Sequence, residues 1–332
     1  MVDTYTVTLG IILVLIATPM FNLGIVFQKM GLLQGPEITF DKGFVGILKA
    51  FREIAKNKWW LLGAILGVVA WFPYVVSIGL VGFMVAEPIN SIGIIIVVIA
   101  ANRILGETVT WYEFIAIAVL TISPILIALA GISEVAIDLY EMVIPLTIFF
   151  IIAFSITIGC FIYSQKKRGT KSEGFFVMLT GSFFLALGGV FTNIFAQILV
   201  NIQLTWYFGI EIFFGIFWFI FGGSYAHLWL FIGWWGLAIC NIASFAFYQS
   251  AFQKSRMAVL FPIFDSIGLS IPIIAGTLVF KQTFNNYFLF FLAIFLIFIG
   301  TSALGRFQAD IETMDIKKTS TSIKKDGAIK PI

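Results

Sequence analysis

The chain has 332 residues, of which 60% are apolar and 11% charged, with a net charge of +3 and a mean hydropathy of +1.05. A soluble globular domain holds roughly 45–50% apolar and about 25% charged residues, so the composition excludes an ordinary soluble fold. With so small a net charge and no basic stripe on polar surface, it also excludes nucleic acid as a partner.

The first apolar run, 7–28, begins after Asp3 without a basic leader or a small-residue cleavage pattern, and reads as a retained membrane span. Residues 44–56 place apolar and basic side chains at helical spacing. They are too charged to cross and are expected to form an interfacial amphipathic helix. Four further runs follow at 58–80, 83–105, 112–131 and 141–163, and a sixth span at 174–200. The stretch 204–222 is apolar but contains Glu211, so hydropathy leaves its crossing open. Runs at 226–253, 257–280 and 284–306 complete nine expected spans, ten if 204–222 also crosses. Each is close to the ~20 residues that cross a hydrocarbon core of about 30 Å. The tail 307–332 is rich in Lys, Thr and Ser, has no apolar period, and reads as disordered.

Charge decides between nine and ten. With nine spans, all of the 20 basic residues except Lys281 fall on one side of the membrane, in the connectors after spans one, three, five and seven and in the tail. With ten, the split is far more even. Cytoplasmic loops prefer Lys and Arg, so nine spans are expected, with the N-terminus outside, the C-terminus cytoplasmic and the plasma membrane as location. Trp59, Trp60 and Trp111 then stand at headgroup level on the inner side.

A faint internal repeat divides these spans. Tyr74 and Pro88 are separated by the same interval as Tyr248 and Pro262, and Pro88-Ile89-Asn90-Ser91-Ile92-Gly93 resembles the segment from Pro262 to Gly268. Gly106-Glu107-Thr108 corresponds to Lys281-Gln282-Thr283. The matched spans would run in opposite directions. The expected fold is therefore all-α and polytopic, an inverted repeat of four-helix units joined by a crossing helix. The first unit is 1–131, the linking span 132–173, and the second unit 174–306. Inverted repeats around a midplane site are a frequent transporter plan.

Ionisable groups at bilayer depth are costly and mark candidate pathways. Asp265 lies about 12 Å along its span, one turn past Pro262, and Glu87 directly precedes Pro88. Both are candidate cation ligands, because proline frees backbone carbonyls beside an acid. Neutral candidates are Asn22, Gln28, Tyr74, Asn90, Asn193, Gln197, Tyr248 and Gln249, although helix–helix hydrogen bonding accounts for any one of them equally. Gly63 and Gly67 form a small-residue pair suited to helix packing.

Cys160 and Cys240 sit in separate apolar runs and read as small core residues. His227 is the single histidine, which excludes HExxH and His-based zinc sites, and neither GxGxxG nor GxxxxGK[ST] occurs. No enzymatic activity and no cofactor are expected. Magnesium and a proton are the candidate transported or coupling ions.

The chain resembles the drug/metabolite transporter superfamily (EamA-like) over about 7–306, and within it the NIPA-type magnesium transporters. The likeness rests on Gln28-Lys29-Met30-Gly31-Leu32, Trp59-Trp60-x-x-Gly63, Ala86-Glu87-Pro88-Ile89-Asn90-Ser91-Ile92-Gly93 and Leu105-Gly106-Glu107. It continues through Arg168-Gly169 to Gly181-Ser182, and through Tyr248-Gln249-Ser250-Ala251-Phe252 to Pro262. The NIPA pattern carries a carboxylate and an Asn in mid-span two, where this sequence reads Gly67-Val68-Val69-Ala70-Trp71-Phe72. Magnesium prefers carboxylate and water oxygens, whereas Trp71 and Tyr74 suit an organic solute or cation. The resemblance thus implies a secondary transporter of an organic metabolite or small cation. Magnesium transport is the second reading, and a scaffold that recruits a partner through its basic tail the third. Lipids and the transported solute are the expected partners, and a homodimer is left open.

Overall fold

A computed structural model describes residues 4–81, 86, 89–131, 139–201 and 208–304. Glu87, Pro88, residues 204–207 and the tail 307–332, all of which carried expectations above, lie outside the described residues.

The regular elements among the described residues are helices. In chain order they are α1 (Thr4–Leu32), α2 (Gly43–Ile54), α3 (Lys58–Val81), α4 (Gly93–Leu105), α5 (Trp111–Ala130), α6 (Val143–Lys166), α7 (Lys171–Asn201), α8 (Phe208–Phe213), α9 (Gly215–Ile220), α10 (Tyr225–Lys254) and α11 (Met257–Leu278). A last helix, α12, runs Tyr287–Leu304. Eight of these are long and apolar enough to cross a membrane, and the apolar helix Ile89–Leu105, which contains α4, is a shorter ninth. In hydrocarbon only a helix pairs its own backbone amides, which is why uncharged runs of this length fold this way. Prolines persist inside α1, α3, α5 and α11 (Pro19, Pro73, Pro124, Pro262 and Pro272), where neighbouring helices can satisfy the carbonyls they free.

The stretch 204–222 resolves into two helices of 6 residues each over its described part. Even end to end they would reach only about 20 Å, too short to cross. They pack instead on the start of α10. The Trp235 indole donates to the Phe213 carbonyl at 3.1 Å, and the backbone at Gly215 lies against the His227 carbonyl.

Two similar packing groups emerge. In one, α1 packs on α3 and α4; in the other, α7 packs on α10 and α11. Counterpart helices run in opposite directions. The start of α3 meets the end of α10, where Trp60 donates to Gln249, and the end of α4 meets the start of α11, where Glu107 accepts from Met257. The C-caps of α4 and α11 match as well. The Glu107 amide bonds to Ala101 O at 3.2 Å and the Gln282 amide to Gly276 O at 3.0 Å, six residues back in each case. The residue before each has positive φ: 68° at Gly106 and 54° at Lys281. Among the described residues Lys281 is the only non-glycine with positive φ. This Schellman-type turn normally calls for glycine, so Lys281 adopts the αL geometry that Gly106 supplies without strain. The linking helix α6 packs on α7 and shares a core with the second group through Leu146, Ala153, Leu187 and Val190.

The largest buried core draws on both groups, including Val26, Leu32 and Val97 from the first and Val177, Phe252 and Met257 from the second. It reaches the end of the bundle where most basic connectors gather, referred to below as the basic end, through Leu32, Ile38, Ile54 and Met257.

Candidate functional site

At the basic end the αL turn at Gly106 aims Glu107 across the boundary between the two groups. Its carboxylate accepts from the Met257 and Ala258 amides at 3.0 and 2.9 Å. These are first-turn amides of α11, which have no partner within the helix, and the helix dipole favours negative charge there. Lys29 of α1 forms a buried ion pair with the same carboxylate and donates to the Ser255 carbonyl at 2.8 Å.

A second acid works beside it. Glu113 is fully buried and completes a capping box with Thr110 at the start of α5. Arg256 donates to Glu113 at 2.5 Å and to the Thr108 carbonyl at 2.7 Å. Lys254 bridges Glu37 at 2.5 Å and Glu173 at 2.7 Å, and Arg168 pairs with Asp41. These pairs bring the connectors after α1, α4, α6 and α10 to one end, the arrangement that nine crossings require. Lys281–Glu141 and the Asn285 and Asn286 amides bonded to Gly131 and Ala130 carbonyls join the connectors after α5 and α11.

A strap formed by residues 33–42 and α2 covers the basic end. Gln253 of α10 donates to the Leu32 and Pro36 carbonyls, both at 3.0 Å, and accepts from the Ile38 amide at 2.8 Å. Ser250 donates to the Ile38 carbonyl at 2.9 Å. Phe40 stacks on Phe247 with centroids 4.5 Å apart, and Phe51 on Phe245 at 5.4 Å. Beneath the strap Gln249, fully buried, donates to Gln28 and accepts from the Trp60 indole at 3.2 Å.

Of the candidate residues named from sequence, Asn22 and Asn90 are brought together beside Thr18. Asn22 is buried and donates to the Thr18 carbonyl at 2.7 Å, while the Thr18 hydroxyl lies 3.4 Å from the Asn90 amide oxygen. The backbone of α4 closes on both at Gly93, where a Cβ would overlap Asn22. Thr18, Asn22 and Lys29 fall on one stripe of α1, so a polar column runs along α1 toward the basic end. Tyr74 meets Phe21 edge-on at 5.6 Å, and Tyr248 packs on Phe264, the neighbour of Asp265, at 5.1 Å. Asp265 on α11 and Asn193 on α7 are half-buried, and each is engaged by a neighbour. Trp71 does not join this group. It is 58% exposed on the outer surface of α3 beside Phe72. Among the described residues no three His, Cys, Asp or Glu side chains form a group able to hold a metal ion.

In the sequence, Lys29 and Arg168 stand out only through the one-sided charge distribution and the family resemblance, Lys254 and Arg256 only through the charge distribution, and Glu113 and Glu173 are not singled out. A usable signal was present: an acid directly after a helix-ending glycine, at Gly106-Glu107, is placed to leave its own helix and serve another.

The fold and these contacts define a polytopic all-helical membrane protein whose packing groups are joined through ion pairs at one end. No protein-family model matches the chain, and no solved structure matches it. It is similar to a protein of Arabidopsis thaliana named probable magnesium transporter NIPA9, with 29% identity over 122 residues. The match spans 37% of this chain and 34% of that relative, about a third of each.

Proposed function

We propose that this chain is a secondary transporter that moves a small solute, an organic metabolite or small cation, by alternating access between two conformations of its similar halves. The observation that carries this reading is the pair of oppositely directed packing groups, α1–α3–α4 and α7–α10–α11, joined at one end by polar contacts that can break and re-form. Inverted units around polar residues at mid-membrane are a transporter plan, and the resemblance to the drug/metabolite transporter superfamily agrees with it. In this reading the ion pairs and the strap hold the basic end closed, and that end faces the cytoplasm. Asn22, Tyr74, Asn90, Asn193, Tyr248, Gln249 and Asp265 are the proposed pathway residues.

A second reading, magnesium or another divalent cation, is favoured by the likeness to the named magnesium transporter. Magnesium keeps several waters and takes one or two carboxylates. Asp265 would supply one, and Glu87 is the proposed second.

Thermal-shift screening of purified protein against magnesium, amines, amino acids and nucleosides, followed by flux in proteoliposomes, tests both readings. Flux of one class that is lost in Asp265→Asn at unchanged thermal stability is expected. Flux of no class would sink the transporter reading, and flux of an organic class without magnesium would remove the second.

A further inference from the structure

The strap carries a feature that transport does not require. Every acid on it is already matched: Glu37 by Lys254, Asp41 by Arg168 and Glu53 by Lys56. The hydrogen bond from Lys56 holds the Glu53 carboxyl below the usual carboxylate range. Lys42, Lys49 and Arg52 are exposed, and among the described residues none of the three forms an ion pair. The strap therefore presents unmatched positive charge.

Helix α2 distributes that charge in a particular way. One face is fixed to the protein through Ala50 and Ile54, both buried, and through Phe51 against Phe245 and Trp60. Next to it lies an apolar flank that none of the described residues covers, with Phe44 67% and Leu48 52% exposed at i, i+4 spacing. Beyond that flank come Val45, 63% exposed, Arg52, Lys49 and the preceding Lys42. An apolar strip bordered by cations is the pattern of a helix lying at the headgroup boundary of an anionic leaflet.

We propose that α2 is an anionic-lipid binding element: Phe44 and Leu48 enter the acyl boundary while Lys42, Lys49 and Arg52 hold the phosphate or carboxylate of anionic headgroups. The occupant is lipid rather than a soluble anion, because the cations border exposed apolar side chains that a free anion would leave in water. Since the same helix stacks on α10 through Phe51 and Phe245, bound lipid also stabilises the docking of the strap on α10. The lipid site stands whether or not the chain transports. Its effect on access to the basic end rests on the transporter reading.

The full chain in zwitterionic phosphatidylcholine nanodiscs, compared with discs containing phosphatidylglycerol, tests this by thermal unfolding and by hydrogen exchange across 33–56. The anionic discs are expected to raise the unfolding midpoint by roughly 3–8 °C and to slow exchange in the strap. The exposed triple variant Lys42→Gln/Lys49→Gln/Arg52→Gln should unfold as the wild type does in phosphatidylcholine and lose the anionic gain. Lys166→Gln/Lys167→Gln, on another connector of the same end, should keep it. Equal midpoints in the two lipids, an undiminished gain in the triple variant, the same loss in the Lys166/Lys167 variant, or an equal gain from inorganic phosphate alone would each overturn the proposal.

Discussion

The carboxylate of Glu107 accepts the backbone N–H of Ala258 at 2.9 Å although the residues stand 151 positions apart. One side chain thus ends one helix's connector, caps another helix and neutralises Lys29. Its position makes the stability of α11 depend on α1 and α4.

Loss of that carboxylate should be severe. Removing one partner of a buried ion pair costs about 3–5 kcal/mol, and Glu107→Ala also strips two amides of their acceptor. Thermal unfolding of detergent-purified protein is expected to show a large drop for Glu107→Ala and for Lys29→Ala. The charge swap Lys29→Glu/Glu107→Lys should not rescue it, because a lysine cannot accept from the Met257 and Ala258 amides. Full recovery in the swap would show that charge pairing alone, rather than helix capping, sets the role of Glu107.

Arg256→Lys keeps the charge but not the planar fork that reaches both Glu113 and the Thr108 carbonyl. With Glu113 fully buried, the lost charged hydrogen bonds should cost about 1.5–3 kcal/mol. A midpoint equal to that of the wild type would mean lysine reaches the same acceptors.

Gln249→Leu leaves the Trp60 indole without its acceptor and the Gln28 oxygen without its donor. A cost of about 1–3 kcal/mol is expected. Adding Gln28→Leu should recover part of it, since one orphaned polar group is thereby removed. A double-mutant cycle reads the coupling directly, and strict additivity would show that Gln28 and Gln249 act independently.

Gly63 and Gly67 look equivalent in the sequence but should behave differently. A Cβ at Gly63 would overlap the Gly24 carbonyl, whereas one at Gly67 meets nothing within 4 Å. Gly63→Ala is expected to cost roughly 1–3 kcal/mol through overpacking and to lower the monodisperse peak in size-exclusion chromatography. Gly67→Ala should run as the wild type does, and equal behaviour of the two would contradict the close approach of α1 and α3.

Membrane character, span number and span limits were legible in the sequence because each depends on a local property summed over one segment. Hydropathy marked 58–80 where α3 runs Lys58–Val81, and 257–280 where α11 runs Met257–Leu278. The one-sided distribution of Lys and Arg kept 204–222 out of the span count, and its described part forms two helices too short to cross. The pairing of Gly106 with Lys281 was also readable, since a shared C-cap needs only a local turn.

Only the tertiary structure decided which polar residues meet. Asn22 and Asn90 stood in the sequence as equals of Trp71, yet α1 and α4 bring the first two beside Thr18 while Trp71 lies exposed on α3. The direction a side chain faces depends on a helix's rotation about its own axis, and in α3, apolar on nearly every side, no amphipathic stripe records that rotation. The ion pairs of the basic end were hidden for a different reason. Lys29, Glu107 and Ala258 carry no local signature of one another; they meet because two oppositely directed helices end at the same level, a relation that exists only once the chain has packed.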